Sequence, residues 1–148
     1  LGGVVIGSEM SGGVKKVVIT NCIFDGTDRG IRIKSTRGRG GVVEDIRISN
    51  IVMSNIKKEA IVFDLKYSDM PVEPVSERTP VFRNIYVSGV TVDKVQIPIK
   101  ISGLEEMPAS GLLLKDIQVR NASLPCVFED YRDLILDEVY VDGVKVSR

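Results

Sequence analysis

A seven-residue pattern recurs five times along this chain and restricts its fold more than any other feature. In each copy a polar residue precedes a β-branched apolar residue, another Ile or Val follows two positions later, and the sixth position is Asn or Gly. Apolar residues that alternate with polar ones are the period-2 signature of a strand with one buried face. The five copies occupy residues 16–22, 45–51, 84–90, 116–122 and 138–144.

The sixth position of the pattern predicts a bend. Asn and Gly are the residues that tolerate positive φ, so a left-handed bend is expected at the same place in each copy. A second strand-like run follows each of the first four copies. Short strands with a repeated bend predict the stacked coils of a single-stranded parallel β-helix, with about four to five coils. The predicted bend residues are Asn21, Asn50, Gly89, Asn121 and Gly143.

The repeat also predicts a register. If the five copies stack directly on one another, their second apolar positions form one interior ladder and their bend residues form one column. A β-sandwich would also give short strands separated by turns, but it has no reason to repeat one pattern with one bend residue. Residues 68–80, with three prolines, and residues 104–111 are expected to be loops. The predicted ladder is Ile19, Ile48, Val87, Val119 and Val141.

Composition excludes several classes of function. Lys plus Arg equals Asp plus Glu, at 20 each, which argues against a surface that coats nucleic acid. No apolar run approaches the roughly 20 residues that a membrane helix needs. The chain has no histidine, so a zinc site of His or Cys ligands and a Ser–His or Cys–His nucleophile are not expected. Cys22 and Cys126 are interpreted as two small buried hydrophobic residues rather than a disulfide.

Two cations on one predicted strand could carry chemistry. Within residues 30–34, Ile31 and Ile33 point to one side, and Arg32 and Lys34 point to the other, about 7 Å apart along the strand. An anion between the two cations would relieve their repulsion, and a carboxylate matches the guanidinium fork. The alternative is an ordinary solvated outer face. The residues alone leave both interpretations open.

Three segments resemble glycoside hydrolase family 28, the polygalacturonase family. The stretch Arg32-Ile33-Lys34 in its context resembles the family's R-I-K motif. Residues 2–9, Gly-Gly-Val-Val-Ile-Gly-Ser-Glu, are similar to the stretch after its G-H-G motif, and residues 60–67 resemble the segment that ends in its substrate-binding tyrosine. The resemblance implies a right-handed, pectin-lyase-like β-helix that hydrolyses α-1,4 galacturonosidic bonds with inversion and uses no cofactor. It implies that Arg32, Lys34 and Tyr67 bind the substrate.

The chain departs from the family at the residues that cleave the bond. The family's N-T-D and D-D motifs do not occur, and its histidine would fall at Leu1 or Gly2. We therefore expect residues 1–148 to be one C-terminal portion of a β-helix domain that lacks the N-terminal coils and carries no catalytic residue. Asp25 and Asp28 lie nearest the cationic pair, and neither has a second carboxylate placed to complete an acid–base couple. For the full-length family member, a secreted or periplasmic location is favoured.

Three functions remain open from the sequence. The chain is the C-terminal piece of a pectin hydrolase, a non-catalytic uronate-binding module, or a structural solenoid. The expected partner is an acidic pectic polysaccharide, and neither nucleic acid nor a membrane is expected. A homo-oligomer is expected to form through the uncapped N-terminal coil. Three further cations form a basic loop beside the site, and this loop either favours an acidic polymer or serves solubility; they are Arg29, Arg37 and Arg39.

Overall fold

The computed structural model describes residues 1–67, 74–76 and 78–148. All regular secondary structure in these residues is β-strand, as the alternating pattern predicts. Most of the loop predicted at 68–80 lies outside the described residues. The predicted loop at 104–111 is shorter than expected, because a strand already begins at Ala109. The strands are β1 (Gly2–Ile6), β2 (Val14–Asp25), β3 (Arg29–Lys34), β4 (Val42–Asp64), β5 (Val81–Ser102), β6 (Ala109–Ala122), β7 (Val127–Glu129), β8 (Tyr131–Val141) and β9 (Val144–Lys145).

The strands stack in parallel coils. β4 pairs in parallel with β2 and β3 on one side and with β5 on the other, and β5 pairs in parallel with β6 and β7. β1 pairs with β3, and β6 pairs with β8, again in parallel. The short β9 pairs antiparallel with β8 and ends the stack. The all-β fold is therefore a right-handed parallel β-helix, as predicted.

Long strands such as β4 and β5 turn corners without leaving the sheet. At each corner a single residue takes a positive φ, between 49° and 70° for the non-glycine residues that do so. Asn and Asp are frequent there because their short polar side chains tolerate this conformation. The register places most of these residues in three columns. The middle column contains Asn21, Asn50, Gly89, Asp116 and Glu138.

The predicted register is correct for three copies and wrong for the last two. Ile48 pairs with Ile19 and Val87, as predicted, but Val87 then pairs with Leu114 instead of Val119. Val119 pairs with Val92 and Val141, one corner further along the coil. The reason is that every corner imposes the same in–out alternation and the same bend. The pattern therefore marks a corner without saying which column that corner belongs to.

The three columns of corner residues separate four faces of the helix. The fourth face, which follows the third corner in each coil, carries the cationic pair. It is built from β1, β3, residues 59–64 of β4, residues 97–102 of β5, and β7. These are the second strand-like runs of the sequence. Ile31, Ile61 and Ile99 stack in register beneath it and are fully buried, as is Phe63. This packed interior fixes the position of the residues that point outward.

The two cysteines are free thiols. Both are half-buried and pack against the apolar interior, and burial raises the pKa of the Cys126 thiol. The interpretation as unpaired hydrophobic residues is confirmed, although neither is fully buried. Within the described part of the chain, no helix is long and apolar enough to span a membrane.

Candidate functional site

Arg32 and Lys34 project from β3 on the outer side of the fourth face. Ile31 and Ile33 are fully buried on the inner side, so the alternation predicted for this strand is present. Arg32 lies beside Val62 of the neighbouring coil, and Lys34 lies beside Asp64. The two cations are therefore held by a rigid strand whose inner residues are part of the core.

Tyr67 joins the two cations into one cluster. The guanidinium carbon of Arg32 lies 5.3 Å from the centroid of the Tyr67 ring, and Nζ of Lys34 lies 4.2 Å from it. Both distances are in the range of cation–π interactions. The backbone N–H of Tyr67 donates a hydrogen bond to the carbonyl of Ser35, at 3.0 Å, which ties the segment after β4 to the end of β3. The structure thus brings together the three residues that the sequence singled out.

A polar cleft of about 330 Å³ opens beside this cluster. Lys34 and Tyr67 line it together with Arg39 and the segment after β1. Arg32 is not one of the lining residues, so it reaches a ligand in the cleft less directly than Lys34 does. The sequence did not predict that the segment after β1 lines the cleft, because this segment belongs to the preceding coil. The lining residues are Gly7, Ser8, Glu9, Lys34, Arg39 and Tyr67.

The three arginines predicted to form a basic loop have different surroundings, and Arg29 is the first residue of β3 rather than part of a loop. Nε of Arg29 lies 2.8 Å from a carboxylate oxygen of Glu59, and the guanidinium of Arg37 makes two hydrogen bonds to Glu106. Arg37 also lowers the pKa of the Glu106 carboxyl through these bonds. Arg39 instead lines the cleft. Of the three, Arg39 is the cation that remains positioned for an anionic ligand.

The carboxylates nearest the cationic pair in sequence are engaged elsewhere. Asp25 accepts a hydrogen bond from Asn55 at 3.1 Å. Asp28 lies 3.8 Å from Nζ of Lys57. Among the described residues that line the cleft, Glu9 alone has a carboxylate. The described part of the chain also contains no cluster of three His, Cys, Asp or Glu residues that could hold a metal ion.

The sequence model for "Glycosyl hydrolases family 28" matches residues 2–129. The chain belongs to this family. The fold is similar to that of an exopolygalacturonase from Thermotoga maritima, with a TM-score of 0.89 and 31% sequence identity, over 98% of this chain and 32% of that chain.

Curated relatives agree with the family assignment. Polygalacturonase 1 of Penicillium olsonii is 34% identical over 68% of this chain and 26% of its own length. An endo-polygalacturonase of Pectobacterium carotovorum subsp. carotovorum is 46% identical over 44% of this chain and 16% of its own length. The family 28 chain described here therefore spans about a third or less of the proteins that it matches.

Gly7 lines the family 28 cleft and lies directly against the backbone of Lys34. Its φ is +96°, and a Cβ atom at this position would collide with the carbonyl oxygen of Lys34. We expect Gly7→Ala to lower the free energy of unfolding by about 1–3 kcal/mol, because the backbone of β3 cannot give way without disturbing the core. Urea denaturation would measure this change.

Gly12→Ala is the matched control for this substitution. Gly12 lies in the same loop, and a Cβ atom there meets nothing within 4 Å. We expect its free energy of unfolding to stay within about 0.5 kcal/mol of the wild type. Equal effects of the two substitutions would show that the contact between Gly7 and β3 does not hold the cleft.

Proposed function

We propose that this chain binds galacturonate units of polygalacturonate and forms part of the substrate site of a glycosidase that cleaves α-1,4 galacturonosidic bonds with inversion. The observation that carries the proposal is the stacking of Arg32 and Lys34 on Tyr67 at the edge of a polar cleft. This arrangement offers a uronate a positive point charge, a guanidinium fork and an aromatic surface. The matched proteins are named as polygalacturonases, which supports the same substrate class.

The roles of the three residues follow from their positions. Lys34 lines the cleft and pairs with the uronate carboxylate. Tyr67 contacts both cations and also lines the cleft, so its ring holds the cations in place and packs against the sugar. Arg32 supports Tyr67 and adds positive charge beside the cleft. All three act on binding and orientation of the substrate.

The acid and the base of the reaction are not placed at this cleft. Inverting hydrolysis needs two carboxyl groups about 6.5–9.5 Å apart on either side of the scissile bond. Among the described lining residues only Glu9 has a carboxylate. We therefore assign this chain the part of C-terminal coils of a β-helix domain, with the catalytic carboxylates supplied by other coils of the whole protein.

A non-catalytic uronate-binding module is the second candidate. The observation that favours it is that the described residues lining the cleft combine cations with the single carboxylate of Glu9. A purely structural solenoid would have no need for the cation cluster. Self-association through the uncapped N-terminal coil remains a prediction whose measurement is the molecular mass of the 148-residue chain in solution.

The test of binding is a titration of the 148-residue chain with galacturonate oligomers, followed by NMR. One subsite with two cations should give a dissociation constant of roughly 1 mM at low ionic strength, and salt should weaken it. The double variant Arg32→Ala, Lys34→Ala should bind at least about tenfold more weakly, because each lost charge removes attraction for the carboxylate.

Arg47→Ala is the control for this double variant. The Arg47 guanidinium carbon lies 3.9 Å from the ring centroid of Tyr86, so it forms a similar cation–π pair on another face of the helix. The Arg47 variant should bind galacturonate oligomers as the wild type does. Equal binding by the wild type and the Arg32, Lys34 double variant would refute the proposed site.

A further inference from the structure

We propose that Arg39 is an additional carboxylate-binding residue of the cleft and that Glu9 occupies it until a uronate carboxylate takes its place. Glu9 would then act as an internal competitor that sets how strongly the site discriminates anionic sugars from neutral ones. This inference rests on the proposed function, since it concerns the same cleft. It assigns two residues that lie outside the three singled out from the sequence.

Arg39 is only partly satisfied by its present partner. Its Nη1 atom lies 3.5 Å from Oε1 of Glu9, which is longer than the roughly 2.7–2.9 Å of a charge-assisted hydrogen bond. Its Nε atom is buried and has no hydrogen-bond acceptor within the described part of the chain. A buried N–H group without an acceptor is unfavourable. A ligand carboxylate in the cleft could accept a shorter, charge-assisted hydrogen bond from the terminal nitrogen that now faces Glu9.

The side chains of Arg39 and Glu9 differ in how far they are exposed to solvent. The Arg39 side chain is 20% exposed, whereas the Glu9 side chain is 86% exposed. Glu9 therefore keeps most of its hydration and of its rotational freedom within the pair, and little is lost when it leaves. Arg39 stays in the wall of the cleft. The exchange of Glu9 for a ligand carboxylate needs no more than rotation of the Glu9 side chain.

The backbone around both residues is held in place. The N–H of Arg39 donates to the carbonyl of Thr36 at 3.1 Å, and the guanidinium of Arg78 donates to the carbonyl of Gly38 at 2.6 and 2.9 Å. The sequence neighbours of Glu9 are buried, with Ser8 7% exposed and Met10 5% exposed. The cleft is thus preorganised, which lowers the cost of ordering on binding.

The neighbouring arginines show why Arg39 is the one available. Arg29, at the start of β3, and Arg37, in the loop after β3, are each closely paired with a part-buried glutamate. A ligand would have to break a short, well-formed ion pair to use either of them. Arg39 has a long contact with an exposed partner, so a ligand carboxylate improves its hydrogen bonding.

The test is a double-mutant cycle on binding of galacturonate oligomers by the full chain. Glu9→Gln should tighten binding about three- to tenfold, because the competing charge is gone. Arg39→Gln should weaken it by at least about tenfold. In the Arg39→Gln background, Glu9→Gln should change little, since Glu9 then has no cation to occupy. Glu44→Gln and Arg83→Gln, which alter an arginine–glutamate pair away from the cleft, should leave affinity unchanged.

The outcomes separate this inference from the proposed function. Wild-type binding that is lost in the Arg32, Lys34 double variant but is unaffected by Glu9→Gln would overturn the role of Glu9 and leave the proposed function standing. An equal effect of Glu9→Gln with and without Arg39 would show a general charge effect and would overturn the competition. Absence of any wild-type binding would overturn both proposals. Near-UV circular dichroism of each variant would confirm that it is folded.

Discussion

The isolated 148-residue chain is expected to release no measurable reducing ends from polygalacturonate. General acid and general base catalysis each contribute about 10²–10⁴-fold, and the described residues that line the cleft provide one carboxylate for these two roles. We therefore expect a turnover rate at least about 10⁴-fold below that of a full-length family 28 polygalacturonase. A reducing-sugar assay at equal molar concentration, with the full-length enzyme as reference, measures this ratio.

The assay has an internal check. The chain should still bind galacturonate oligomers under the same conditions, so that loss of turnover is separated from loss of substrate binding. Turnover comparable with the full-length enzyme would show that the acids are within these residues. In that case Glu9→Gln would be the next measurement, because Glu9 is the carboxylate that lines the cleft.

The cation cluster was predictable because it depends on local geometry. Arg32 and Lys34 are two residues apart on one strand, and period-2 alternation places them on the same side whatever the rest of the fold. Ile31 and Ile33 then decide which side is the interior, since both are strongly apolar. Tyr67 was placed nearby by the family resemblance, and the structure shows its ring against both cations.

The contact between Glu9 and Arg39 in the cleft was not predictable in the same way. Glu9 and Arg39 are 30 positions apart and belong to loops of successive coils. Whether their side chains are in contact depends on the path of each loop between two strands, and the repeat pattern does not predict loop conformations. The sequence named Arg39 only as one of three loop arginines. Its distinction from Arg29 and Arg37 comes from which carboxylates the folded loops bring alongside each one.

The register error has a related cause. Asp116 and Asp45 begin copies of the same pattern, but they occupy different columns of the helix. Asp45 lies in the column of Lys16 and Asn84, and Asp116 lies in the column of Asn50. Each column needs a residue that tolerates positive φ between two apolar residues. The same local pattern therefore occurs in every column and does not distinguish one column from another. The number of residues in each coil decides the column, and this number changes along the chain.

The largest expected loss of stability follows from the interior of the same face. Phe63 is fully buried in β4, in register with Ile33 and Ile101 on the adjacent coils. We expect Phe63→Ala to lower the free energy of unfolding by about 3–5 kcal/mol, because it removes the ring and leaves a cavity between two coils that cannot collapse. Urea unfolding followed by far-UV circular dichroism would measure the change.

Ile23→Ala is the control for Phe63→Ala, because Ile23 is also an apolar residue of a strand but is 77% exposed. Its free energy of unfolding should stay within about 0.5 kcal/mol of the wild type.

The loss of the Phe63 ring should also affect substrate binding. Each coil of a solenoid is stabilised mainly by its two neighbours, so a cavity beneath β3 loosens the strand that carries Arg32 and Lys34. The Phe63 variant should therefore bind galacturonate more weakly under conditions in which it is still folded. A Phe63→Ala variant with near wild-type stability and binding would show that the core below the site does not hold the two cations in place.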